Sequence, residues 1–136
     1  MTDKKSRVYS EWRRTLKQAG WEVDRYDSIK FNSGSETAKH MHAKMAGAHI
    51  LKNAGYRVDT EVVHPERGEV DLAAIPTKES QKPYVIEFET APTPETTKDK
   101  ITRYVENTPF VECYIVNLSK VGTDVIEMRK DIQTQL

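Results

Sequence analysis

The chain has 136 residues, 37% of them apolar and 31% charged, with 21 basic against 21 acidic side chains. That length suits one domain with a modest core under a heavily charged surface. The even charge balance excludes a global electrostatic pull toward nucleic acid, so any such binding must use local patches. A lone Cys113 excludes an internal disulfide and a cysteine-based zinc site, and fits a reducing compartment. No run approaches the ~18–20 apolar residues of a membrane span, and the start carries no signal-like segment. The expectation is a soluble, cytoplasmic protein with no membrane partner.

In chain order, residues 6–19 read as a helix closed by Gly20. The stretch Trp-Glu-Val-Asp-Arg-Tyr from Trp21 reads as a short strand, followed by a loop to Ser33. Residues 35–54 form the strongest helical pattern, with Ser35 as cap, Lys39, Lys44 and Lys52 outward, and Gly55 as the stop. One face, Glu36, His40, Ala43, Gly47, Ile50 and Ala54, is a stripe of mostly small residues suited to close packing on a sheet.

Three strands are expected next: Tyr56–Val63, Glu69–Ile75 and Tyr84–Thr90. A helix over Pro94–Asn107 begins with a well-placed proline. Val111–Leu118 reads as a further strand, apolar enough to be central, and Thr123 to Gln133 as a final helix. Residues 1–34 are therefore an N-terminal helical extension and 35–136 the core of one compact α/β domain. Its mixed central sheet would have about four to five strands flanked by helices.

Strand alternation puts Glu69 and Asp71 on one face of their strand, and Glu87 and Glu89 on one face of theirs. Neighbouring strands lie ~4.7–4.9 Å apart, so carboxylates at matching heights can hold one ion between them. Acids on strands usually belong to a solvated face, the plain reading for Glu69 and Glu89 taken singly. Asp71 opens an apolar run and Glu87 interrupts Tyr-Val-Ile-Glu-Phe, where a buried carboxylate needs a partner or a metal.

Gly-Glu-Val-Asp71-Leu-Ala-Ala-Ile, then Tyr-Val-Ile-Glu87-Phe-Glu89, then a helix and a strand, resembles the PD-(D/E)XK nuclease superfamily. Within it the likeness is greatest to archaeal Holliday-junction resolvases, and it covers roughly Ser35 to Leu118. It implies a restriction-endonuclease-like core and a DNA endonuclease using Mg²⁺ or Mn²⁺. Asp71 and Glu87 would be metal ligands, Glu36 on the first core helix would complete the site, and a homodimer is implied as well. One position departs from the pattern: Glu89 stands where the superfamily carries lysine. Glu89 can then serve as base or extra ligand, with Lys98 or Lys100 reaching in from the next helix to supply the missing ammonium. The alternative is a catalytically inactive nuclease-fold protein that binds DNA or serves assembly. His40, one turn from Glu36, and Glu69 are accessory candidates. Arg7, Arg13, Arg14 and Lys17, with Arg103 on the later helix, are candidates for DNA contact.

Overall fold

The computed structural model describes residues 4–23, 29–30 and 37–136. Among these residues four α-helices and four strands follow one another as α1 (Lys4–Gln18), α2 (Ala38–Asn53), β1 (Arg57–His64), β2 (Gly68–Ile75), β3 (Tyr84–Glu89), α3 (Pro94–Val105), β4 (Cys113–Asn117) and α4 (Val125–Gln133). The sheet has the order β1-β2-β3-β4. The first three strands form an antiparallel meander, and β4 joins β3 in parallel after the α3 crossover. This is an α/β domain with a mixed, open, four-stranded sheet among the described residues. β4 lies at its edge, not centrally as its apolar run suggests; Ile115 is only partly buried.

Each face of the sheet carries its own core. On one, Ala43, Ala48 and Leu51 of α2 and Met128 and Ile132 of α4 pack on Val58, Leu72, Ala74, Ile86, Phe88 and Val116. On the other, Tyr9 and Leu16 of α1, Trp21 and Tyr104 of α3 cover Val62, Val70, Ala73, Ile75, Val85 and Phe110. Leu72 and Ile86 are wholly buried, each contributing about 1.5–3 kcal/mol. Of the stripe read along α2, His40, Ala43, Gly47 and Ile50 pack toward the sheet, whereas Ala54 is exposed past the helix end and Glu36 lies outside the described residues; Gly47 sets the distance. A Cβ there would stand 3.0 Å from the Phe88 ring, so a larger residue would push α2 off the strand that carries Glu87.

The ends of the helices differ from the sequence expectation in detail. Thr37, not Ser35, caps α2, its side chain accepting from the His40 amide; Ser35 and Glu36 lie outside the described residues. Lys44, expected outward, is fully buried. The strand expected from Trp21 reduces, in its described part, to a single bridge between Glu22 and Val63, with Trp21 and Val23 buried. Gly20 (φ 100) turns α1 into that bridge, where a Cβ would come within 2.6 Å of His64. No described helix is long and apolar enough to cross a membrane.

Candidate active site

Strict alternation fails in the middle of β1 and β2, and the failure shapes the site. Val70 packs in the same core as Ala73 and Ile75, while Leu72 and Ala74 belong to the opposite face. Val58 and Val62 divide in the same way. The switch falls at Asp71 and at Glu61, which the pairs Thr60↔Leu72 and Val62↔Val70 bracket opposite it. Glu61 adopts φ 52, a left-handed conformation unusual within a strand. In consequence Asp71 is largely enclosed whereas Glu69 is exposed. The two acids expected on one face do not form one site.

The β2–β3 register runs from Ala74↔Tyr84 through Leu72↔Ile86 and stops there. One step further Asp71 would stand opposite Glu87. Here two carboxylates take the place of ladder bonds. Asp71 Oδ2 accepts from the Phe88 amide at 2.8 Å, and Glu87 Oε2 accepts from the Asp71 amide at 2.6 Å. Each acid is thus fixed by the backbone of the other's strand, which orients both toward the gap between the strands.

Three further side chains close on the pair. His40 Nε2 of α2 lies 3.3 Å from Asp71 Oδ2, its ring edge-to-face with Phe88. From α3, Lys100 Nζ donates to Glu87 Oε1 at 2.9 Å and also to Glu89 Oε1. A capping box at Thr93 and Thr96, with Pro94 in the first turn, fixes the start of α3 directly after β3 and so brings Lys100 over the strand end. Lys98 is exposed and takes no part. Of the two lysines the sequence offered, the structure brings in Lys100.

Electrostatics separates the two central acids. Burial raises the Glu87 carboxyl most, the Asp71 charge adds to it, and Lys100 and the Asp71 amide offset only part, leaving it at about 7. Burial also pushes Asp71 upward, but His40, the Phe88 amide and the Lys100 charge together outweigh it and hold Asp71 below its ordinary value. Paired acids with values driven apart are the arrangement in which one stays ionised while the other exchanges a proton near neutrality.

The donor set suits a hard cation. Asp71 Oδ1 carries no hydrogen bond among the described residues, and Mg²⁺ is commonly held through one or two carboxylates with water completing its shell. No group of three His, Cys, Asp or Glu side chains arranged for an ion occurs among the described residues, and Glu36 lies outside them. Both Glu87 oxygens are engaged, one by the Asp71 amide and one by Lys100, so Asp71 Oδ1 is the one carboxylate oxygen of the pair without a hydrogen bond among the described residues.

None of the DNA-contact candidates bonds a side chain of the site among the described residues, though Arg103 lies one turn beyond Lys100 on α3. Arg7, Arg14 and Lys17 are exposed along α1, with Arg13 half-buried. Arg103 is engaged within α3, its guanidinium on Asp99 and over the Tyr104 ring. Exposed pairs of this kind contribute little, so Arg103 remains free to exchange partners.

What sequence reading missed is Lys44. Its ammonium bonds Glu61 and donates to the Lys30 carbonyl at 3.0 Å. A lysine among Ala43, Met45 and Ala46 on a helix of small residues, and a glutamate interrupting Val-Asp-Thr-Glu-Val-Val, were the available signals.

The chain matches no protein-family model, no curated protein and no solved structure.

Proposed function

We propose that this protein is a metal-dependent DNA endonuclease on a restriction-endonuclease-like core, hydrolysing phosphodiester bonds, with a resolvase-like selectivity for DNA structure as the form the resemblance suggests. The observation that carries the reading is Lys100. Its ammonium, delivered from α3, stands between Glu87 and Glu89, supplying the positive charge that Glu89 removed from the strand. The resemblance on Asp71, Glu87 and Glu89, the meander followed by a parallel crossover, and the fixed Asp71–Glu87 pair support it alongside. A homodimer on DNA belongs to the same reading.

A Mg²⁺ or Mn²⁺ bound by Asp71 and Glu87 would supply neutralisation of the scissile phosphate and a water of lowered pKa. The rest is the work of the chain's own groups. The Phe88 and Asp71 amides hold both carboxylates in place without side-chain reorganisation. Glu89, a third exposed, accepts the proton of the attacking water. Lys100 Nζ then donates to the phosphate oxygens as negative charge builds on them. His40 holds Asp71 in its ionised form.

A second reading, an inactive nuclease fold that binds DNA, draws on the same ammonium. Lys100 already neutralises Glu87 and Glu89, as a structural ion pair would. Cleavage of labelled duplex, flap, single-stranded and four-way-junction DNA in Mg²⁺ or Mn²⁺ distinguishes the two. The endonuclease reading expects cutting that is lost in Asp71→Asn, Glu87→Gln and Lys100→Met. Binding with no cutting of any substrate by the wild type would replace it with the second reading.

A further inference from the structure

The outer side of β4 meets no further strand among the described residues. On its inner side the Val85 amide donates to the Glu112 carbonyl at 3.0 Å. Successive residues of a strand turn their backbone groups to opposite sides. Tyr114 and Val116 therefore bond β3, while Cys113, Ile115 and Asn117 turn their amides and carbonyls outward. Such an edge is a template for another chain, and lysine, proline or an inward charge commonly guards it. The run Cys-Tyr-Ile-Val-Asn-Leu from Cys113 carries none of these. Rich in branched and aromatic residues and free of charge, proline and glycine, it has the composition of a self-pairing segment.

Side chains guard it instead. Gln135 follows directly on α4, which Met128 and the wholly buried Ile132 seat on the sheet. Gln135 Oε1 accepts from the Asn117 amide at 2.7 Å, and Gln135 Nε2 donates to the Asn117 carbonyl at 3.3 Å. One side-chain amide thus satisfies both backbone groups of one residue, as the facing residue of an antiparallel strand does. At the other end of the edge Glu112 Oε1 accepts from the Cys113 amide at 3.2 Å. Between the two, the Ile115 amide and carbonyl have no hydrogen-bond partner among the described residues.

We propose that Gln135 is a strand-mimicking lock on the β4 edge, and that the edge it closes fits the same edge of a second copy. Two β4 strands related by a two-fold axis at Ile115 pair antiparallel, with Ile115 opposite Ile115 and Cys113 opposite Asn117. Every outward amide then meets an outward carbonyl, the self-complementarity that a two-fold interface requires. With Gln135 in place Asn117 is taken at both ends of that register, and Ile115 alone is left to pair. The lock uses none of the nuclease residues and stands independently of that reading.

The test compares the full chain with Gln135→Leu, which keeps the side-chain bulk and removes both bonds, and with Gln135→Ala, so that a local packing loss in one variant does not decide the outcome. Light scattering from micromolar to near-millimolar protein gives the mass, and amide hydrogen exchange followed by NMR locates the contact. In dilute solution either variant should exchange the Asn117 amide about tenfold faster than wild type, the margin of one hydrogen bond. As concentration rises the variants should reach twice the wild-type mass and protect the Ile115 and Asn117 amides together. Wild type should keep its mass and an unprotected Ile115 amide throughout. Wild-type mass in both variants at the highest concentration would overturn the proposal. So would added mass with Ile115 still unprotected, which would place the contact on another surface, or Asn117 exchange unchanged in both variants.

Discussion

Two helix lysines in this domain reach across to strand glutamates, and they do so to different ends. Lys44 of α2 is wholly buried and bonds Glu61 and the Lys30 carbonyl. Lys100 of α3 is about 20% exposed, lies on Glu87 and Glu89, and faces a third acid in Asp71. Both glutamates at the centre, Glu61 and Glu87, have carboxyls raised to about 7, with burial the largest cause in each. The next contribution differs: a hydrogen bond of protonated Glu61 to the exposed Glu69, the buried charge of Asp71 at Glu87. An ion pair becomes a candidate reaction centre when its negative charge exceeds its positive charge, its acids are held by backbone amides, and it opens to solvent. Lys44 has the burial of a structural pair; Lys100, part-exposed among three acids, is the one on which the proposed chemistry rests.

The largest effect that would sharpen this contrast is on cleavage. Lys100→Met and Glu89→Gln should each reduce the rate by about 10²–10⁴-fold, the span of a lost general acid or base, with modest change in the unfolding midpoint. Lys44→Met should invert the pattern. Removing one partner of a buried pair costs about 3–5 kcal/mol at pH 8, read by urea denaturation. That loss should shrink at pH 6, where Glu61 can take a proton, and in the double variant Lys44→Met/Glu61→Leu. If Lys100→Met proved the more destabilising and left cutting intact, the contrast would be broken.

The pH dependence of stability follows from the same groups. Glu61 and Glu87 bind protons more tightly in the folded chain, at about 7 against an ordinary 4.5. Their contribution is therefore complete below about pH 4.5 and is lost as pH rises through 7. Asp71, depressed, acts oppositely: its contribution is present above its ordinary 3.8 and lost on further acidification. The unfolding midpoint should thus decline between about pH 5 and 7.5. Glu61→Gln and Glu87→Gln should each flatten the decline, as scanning calorimetry across that range would show. An unchanged slope in Glu87→Gln would remove Glu87 from the account. Mn²⁺ binding at pH 6 should also release protons, since a metal-bound Glu87 must be ionised.

The smallest effect concerns placement. Thr93→Ala removes the α3 cap and should cost about 1 kcal/mol. Because α3 carries Lys100, cleavage should fall further than that loss of folded protein explains. Activity tracking the folded fraction alone would mean that the cap does not position Lys100.

The sequence by itself determined the order and kind of the elements, because strand and helix periodicities and Gly/Pro punctuation are local. Meander, crossover helix and parallel fourth strand follow from it, as do Asp71 and Glu87 as acids interrupting apolar runs. Tertiary structure decided the rest. Glu69 and Asp71 share a strand and a parity, yet the left-handed turn of Glu61 on the neighbouring strand sends one to solvent and one into the site. Lys98 and Lys100 are equivalent by composition, and only the docking of α3 chooses between them. Lys44 looked like one of several outward lysines until a glutamate on β1 gave it a partner. Val111–Leu118 is apolar enough for a central strand, yet the chain adds no strand on its far side among the described residues. In each case the deciding contact joins residues far apart in the chain, and the free energy of burying a charge depends on that distant partner rather than on the neighbours in sequence.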